Sequence, residues 1–197
     1  DNSALVDFRY VTVGGNLNLV ATTVINCGSF VGGAQLGPCQ VGVGIPSLTV
    51  AGAGTISGGA QGINVLAANL TGRIINQGTV LGTGTGISFL AGGSLSGGIT
   101  NSGLISGQTG VVYSSGVSGG PLVNMAAGSI VGSSGAGVSI LNGAQVSGIS
   151  NAGYISSVSN AGSLGGLVNT ASLTSLNNSG TLSGVLQASG VMTGLTN

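Results

Sequence analysis

"ITNSGLISG" spans Ile99–Gly107, and the chain returns to this phrase at intervals: "IINQGTVLG" at Ile74–Gly82, "ISNAGYISS" at Ile149–Ser157 and "LNNSGTLSG" at Leu176–Gly184. The small residue inside the phrase serves as an anchor. It falls at Ala4, Gly28, Gly54, Gly78, Gly103, Gly128, Gly153 and Gly180, at nearly even spacing. A period held along the whole chain marks a repeat architecture.

The columns beside the anchor have a chemical sense. Two residues after it stand Val6, Phe30, Ile56, Val80, Ile105, Ile130, Ile155 and Leu182, all apolar. One residue after it stand Leu5, Ser29, Thr55, Thr79, Leu104, Ser129, Tyr154 and Thr181, mostly hydroxylic. Alternation with period two is the pattern of a strand with one buried face. Four residues before the anchor the column is Val24, Val50, Ile74, Ile99, Asn124, Ile149 and Leu176; only Asn124 breaks it, and Val123 beside it suggests a slip of one residue. Four residues after it, Gly32, Gly58, Gly82, Gly107, Gly132 and Gly184 (with Ser157 and Phe8 as exceptions) read as a corner, where the backbone needs positive φ or close approach. Second apolar strands follow at Ile63 and Val65, Ile87 and Phe89, Val138 and Ile140, and third ones around Leu70, Leu95 and Val146.

These columns predict an all-β, parallel β-solenoid: one domain over residues 1–197, about 25 residues and three short strands per rung, seven to eight rungs. Residues 1–28 form the first rung and a candidate joint between subunits, 29–180 the regular rungs, and 181–197 a partial terminal rung. Residues 8–24 read either as a regular rung or as an arm exchanged with a neighbour. Helical repeats have longer periods, no 3.6-residue rhythm is present, and the fixed leucine pattern of leucine-rich repeats is absent. The eight apolar residues two places after the anchor are the predicted core ladder. Asn2, Asn26, Asn76, Asn101, Asn151 and Asn178, two places before it, are the predicted asparagine ladder, since rungs stack ~4.8 Å apart and amides at that spacing can bond along the stack.

The "NSG-L-ISG" and "NQG-TVLG" phrasing resembles the repeats of bacterial surface β-helices, the passenger regions of autotransporters and haemagglutinin-type adhesins, over about residues 22–184. The resemblance implies a right-handed parallel β-helix, export, and display at the bacterial cell surface. The chain differs from that group in showing no C-terminal translocator barrel and in being shorter than a typical passenger.

Composition narrows the function. The chain has two basic residues (Arg9, Arg73), two acidic ones (Asp1, Asp7), and no His, Lys, Glu or Trp; 42 of its 197 residues are Gly. Disordered chains are poor in apolar residues and rich in charge, whereas this one is 42% hydrophobic and 2% charged. Glycine, Ser, Thr and Asn interrupt every apolar run, so no transmembrane segment is expected. The chain opens on Asp1 without a basic-then-apolar leader, as a processed exported chain would. Cys27 and Cys39 read as one disulfide of an oxidising compartment or as two buried thiols; without His and with two carboxylates, metal ligands are lacking.

Acid–base catalysis needs His, Glu, Asp or Lys at a substrate, and glycoside cleavage needs paired carboxylates. Only Asp1 and Asp7 are present, so no enzyme and no cofactor is expected. Two arginines cannot build a nucleic-acid surface. "GTGTGIS" (Gly82–Ser88) has no lysine after it and reads as a bend. An ice-binding face would need a threonine array; Thr55, Thr79 and Thr181 are interrupted by Leu5, Leu104 and Tyr154. The remaining expectation is a secreted structural subunit that joins copies of itself head to tail, since the start "DNSALV" already matches "TNSGLI" (Thr100–Ile105) and "GLTN" (Gly194–Asn197) matches the lead-in to an anchor. Asp1, Asp7, Arg9 and Asn197 are the expected joint residues. A monomeric adhesin segment contacting a cell surface or biofilm matrix is the alternative.

Overall fold

A computed structural model of the protein describes the strands Val6–Asp7, Thr12–Gly14, Leu17–Leu19, Ile25–Val31, Ala34–Leu36 and Leu48–Ser57, then residues 60–65, 72–187 and 189–197. Side chains are described for Val50, Thr55, Ile56 and the residues of those later ranges. Every described strand pair is parallel, and among the described residues there is no helix. The expected β-solenoid is therefore the fold.

The coil has three columns of nine levels each. Residues in register along the first are Val6, Ile25, Leu48, Ile74, Ile99, Leu122, Ile149, Leu167 and Val185. The second runs Val13, Phe30, Ile56, Val80, Ile105, Ile130, Ile155, Leu173 and Met192. The third runs Leu17, Ala34, Ile63, Ile87, Val111, Val138, Val158, Leu176 and Leu195. A fourth column of two-residue strands joins Leu95, Gly119, Val146, Leu164 and Leu182. From Ile74 to Leu164 each full turn thus holds four strands, not three, and in the next turn Ser172–Asn178 runs through the second and third columns as one strand. The extra one arises because the repeated phrase is two strands around a bend: Ile99–Asn101 ends at the asparagine, and Leu104–Gly107 resumes after Gly103.

Nine levels exceed the seven or eight expected because the turns differ in length. In the first column the step from Leu122 to Ile149 is half as long again as the next two, Ile149 to Leu167 and Leu167 to Val185. From Ile149 the unit is a nine-residue half-turn: "ISNAGYISS" (149–157), "VSNAGSLGG" (158–166), "LVNTASLTS" (167–175), "LNNSGTLSG" (176–184). In each, the first, third and seventh residues occupy core columns, and two half-turns make one rung. Before Ile149 the second half is wider. Its strands Thr85–Phe89 and Thr109–Tyr113 are five residues long. They run into β-turns closed by Gly93 N–H to Leu90 O and Val117 N–H to Ser114 O, with Gly92 and Gly116 at φ of 82° and 76°.

Apolar side chains of all four columns meet in one core, where Ile56, Val80, Ile105, Ile130 and Ile155 are fully buried. This part of the core ladder forms as read, and Phe30 holds the matching register position below Ile56. Two members do not belong. Val6 is in register with Ile25, in the first column, and Leu182 with Leu164, in the fourth. Leu182 is the seventh residue of its half-turn, as Ile155 is, but three half-turns separate them, which places it across the coil. Leu173 takes the place on Ile155. The corner glycines Gly82, Gly107 and Gly132 do not have positive φ. They answer the other requirement, close approach: a Cβ on Gly107 would meet the Thr109 carbonyl oxygen at 2.7 Å.

The wide turns hold the core's aromatic pair. Phe89 and Tyr113 stack with centroids 4.6 Å apart and planes 13° from parallel. Tyr113 is fully buried and its hydroxyl has no hydrogen-bond partner. A stranded hydroxyl costs about 1–3 kcal/mol, so Tyr113→Phe should raise the unfolding free energy by about 1 kcal/mol in urea melts. Burial also pushes the Tyr113 phenol up from its ordinary 10.0. Above about pH 10 the unfolded chain releases a proton that the folded one keeps, so stability falls with rising pH there. That decline should be lost in Tyr113→Phe, and stability below it should be flat for this group.

Candidate functional site

Apart from Asn64 and Ser88, the buried polar residues form two one-way amide ladders, one at the end of the first column and one at the end of the third. In the first, Asn76 Nδ2 donates to Asn101 Oδ1 at 2.7 Å, Asn101 to Asn124 at 2.8 Å, Asn124 to Asn151 at 2.8 Å, Asn151 to Asn169 at 2.7 Å and Asn169 to Gln187 Oε1 at 2.9 Å. In the second, Asn160 donates to Asn178 Oδ1 at 2.7 Å and Asn178 to Asn197 Oδ1 at 2.6 Å. The amide nitrogen also reaches a backbone carbonyl one level on, as Asn124 does to Tyr154 O at 3.1 Å and Asn151 to Ser172 O at 2.9 Å. Each asparagine thus ties its bend to the level above. Asn76, Asn101, Asn124, Asn151 and Asn169 have no exposed surface. Such burial is tolerated only because the amides satisfy one another.

The predicted ladder is right for Asn76, Asn101 and Asn151. Asn178 belongs to the second ladder, because it lies three half-turns after Asn151. Asn124, the break in the apolar column of the sequence, is a full member of the first; its bend, "NMAAG", carries two residues more than "NSG", so the apolar place falls to Leu122 and not to Val123. Val50 likewise holds a ladder position, in register with Asn76. Asn26 is in register with Thr49, outside the ladder. Asn2 lies outside the described residues. Each ladder starts on an apolar level, Val50 under Asn76 and Ile140 under Asn160, and the Oδ1 atoms of Asn76 and Asn160 accordingly have no partner.

Replacing Asn124 by Ala would leave an N–H of Asn101 without its acceptor and remove the donor to Asn151. At about 1–3 kcal/mol per stranded buried group, a loss of about 3 kcal/mol is expected in denaturant melts.

Val185–Gln187 and Val191–Thr196 each pair on one side only. Val185, Leu186, Val191 and Leu195 are 41, 58, 62 and 60% exposed. A shallow cleft there is lined by Leu182, Val185, Leu195 and Asn197. Among the described residues, Val6–Asp7, Thr12–Gly14 and Leu17–Leu19 pair with Ile25–Val31 and Ala34–Leu36.

Of the remaining expected site residues, Asp7 is in register with Asn26 and Cys27 with Val50. Asp1, Arg9 and Cys39, and hence any Cys27–Cys39 bridge, lie outside the described residues, as do Leu5 and Leu70. Arg73 is exposed. The threonine array does not assemble: Thr55 and Thr79 are followed in register by Leu104, Ser129 and Tyr154, while Thr181 is in the fourth column beside Ser163. Among the described residues no group of three His, Cys, Asp or Glu side chains comes together, and no helix is long and apolar enough to cross a membrane.

Fold and site together define a parallel β-solenoid with buried amide ladders. No family model, curated protein or solved structure matches the chain.

Proposed function

We propose that the protein is a structural subunit of an extracellular fibre, in which copies stack head to tail through the edges of their terminal rungs. The observation that carries this reading is the last described level, where Val185–Gln187 and Val191–Thr196 pair on one side and carry exposed Val185, Leu186, Val191 and Leu195. Unpaired strand edges bearing exposed apolar side chains are templates for pairing with another chain. A contact between unlike ends does not close on itself and gives an open filament. The composition agrees. A formal net charge of zero offers no repulsion between copies, and few Lys or Arg leave few sites for trypsin-like proteases. With so few ionisable groups, catalysis and nucleic-acid binding are not part of this reading, and secretion to a bacterial surface is. A Cys27–Cys39 bridge would staple the chain near its first turns.

The test is direct. Purified protein viewed by negative-stain microscopy should show unbranched filaments, and SDS gels of unheated samples should show ladders above the 18.5-kDa chain. A chain that stays monomeric at high concentration would favour a different role, a solitary adhesin-like segment. Ice shaping by the purified chain would point instead to the hydroxylic surface.

A further inference from the structure

We infer that Asn142 is a site of spontaneous deamidation, at which the backbone nitrogen of Gly143 closes on the asparagine side chain and the folded coil acquires a negative charge. The inference does not depend on whether copies join.

Asn142 is the one asparagine of the chain followed by glycine. Without a Cβ, glycine leaves its own nitrogen free to approach the preceding side chain. The fold then exposes the pair. Residues 141–144 are a β-turn closed by Ala144 N–H to Leu141 O at 2.9 Å, with Gly143 at a φ of 81°. Four residues join Ile140 to Gln145, whereas two join their register partners on the next level, Asn160 and Ser163. The wide turn therefore projects past the narrow one, beside a cleft lined by Asn142, Gln145, Ser163 and Thr181. Asn142 and Gly143 are exposed, and neither the Asn142 carboxamide nor the Gly143 N–H bonds to a described residue. The ladder asparagines are the opposite case. Asn101, Asn124 and Asn151 are buried and their amides are bonded at both ends. The N–H that follows each is held by the level below: Ser102 donates to Asn76 O at 2.7 Å, Met125 to Asn101 O and Ala152 to Asn124 O at 2.8 Å.

The reaction needs water and no other reagent. The Gly143 N–H gives up its proton, its nitrogen bonds to Asn142 Cγ, and the Cγ–Nδ2 bond breaks with loss of ammonia, leaving a five-membered imide. A Cβ on Gly143 would meet nothing closer than 3.7 Å, so the ring has room. Water then opens the imide at Cγ, which gives aspartate at position 142, or at the main-chain carbonyl, which gives isoaspartate. Either product carries a carboxylate where residues 74–197 otherwise hold no Asp, Glu, Lys, Arg or His, and the formal net charge falls from zero to minus one. Ser115 Oγ donates to the Asn142 main-chain oxygen. In isoaspartate that oxygen belongs to the carboxylate, which thus has a donor beside it. The turn lies outside the core, so the charge stays in water and avoids the cost of burial.

The test keeps the folded full chain in mildly alkaline buffer and follows it by isoelectric focusing and by mass spectrometry of peptic peptides, cut in acid where the reaction is halted. A more acidic species should accumulate, faster as the pH rises, with the exchange of NH for O mapped to Asn142 ahead of every other asparagine. An isoaspartyl methyltransferase should label that species and not fresh protein. Asn142→Ser should remove it, and Asn142→Asp should focus with it from the start. Should either variant not fold, the mapping on the parent chain still decides. In the urea-unfolded chain Asn101 and Asn178, which precede serine, should react as well, since nothing then holds their amides or the nitrogens that follow. An Asn142 that stays intact in the folded chain would overturn the proposal. So would Asn101 and Asn178 reacting there as fast as Asn142.

Discussion

Removing residues 158–175, one whole turn of two nine-residue halves, is expected to yield a protein that still unfolds cooperatively and that, on the fibre reading proposed above, still joins copies of itself, in units shorter by ~4.8 Å. Leu176 then follows Ser157 and takes the place of Val158, and Asn178 takes that of Asn160, so every core column meets a residue of the same kind. In a stack where each level touches only its neighbours, loss of one level removes one increment of stability and no unique contact. Removing only residues 158–166 separates folding from assembly. The half-turns are interchangeable, so Leu167–Asn169 moves across to the third column and the coil still closes. The end of the coil, however, is then half a turn out of phase, and copies should no longer join. A nine-residue deletion of 99–107 in the wide part should not fold. It takes two strands from a level whose other half, residues 108–121, has no equal to replace them. Circular dichroism melts and microscopy of the three variants check these outcomes. Collapse of the 158–166 variant, or tolerance of the 99–107 deletion, would refute the half-turn as the unit.

The second large effect is expected at the anchor itself. Gly103→Ala should destabilise the fold by about 3 kcal/mol, the upper part of the range for forcing atoms into packed space. Gly103 is not in the left-handed region. Its difficulty is the level below, where an added Cβ would run into the carbonyl oxygen of Gly78, the preceding anchor. Gly153 stands in the same relation to Gly128, whereas a Cβ on Gly128 would meet the Asn124 side chain and the Asn101 carbonyl, so none of these anchors has room for a side chain. Gly184 is the control: nothing lies within 4 Å of its Cβ position and its φ is ordinary. Gly184→Ala should therefore stay within about 0.5 kcal/mol of the parent. Urea titrations of both variants measure the contrast.

The solenoid is legible in the sequence because inward apolar residues and anchor glycines must recur wherever levels stack. Ile56, Val80, Ile105, Ile130 and Ile155 are in register at the steps the period demands. What the period conceals is the half-turn. The final anchor step, from Gly153 to Gly180, is close in length to the others and is in fact three units of nine. The signal lies in the four successive nine-residue segments from Ile149. Counting them separates Asn160 and Asn178 from Asn151 and puts Leu182 across the coil. Asn124 is hidden for a local reason, the longer bend through Met125–Ala127. The Phe89–Tyr113 stack has no signature beyond apolarity at those places, since it depends on which two wide turns become neighbours. Gly119 reflects it after the fact: a side chain there would strike the Tyr113 ring.

Every amide in both ladders hands its proton the same way, from Asn76 toward Gln187 and from Asn160 toward Asn197. Strand dipoles contribute little net moment in a sheet, so these aligned side chains give an almost uncharged rod an electrical head and tail. A filament of such rods, all facing one way, would add their moments along its length and turn to align in an applied field.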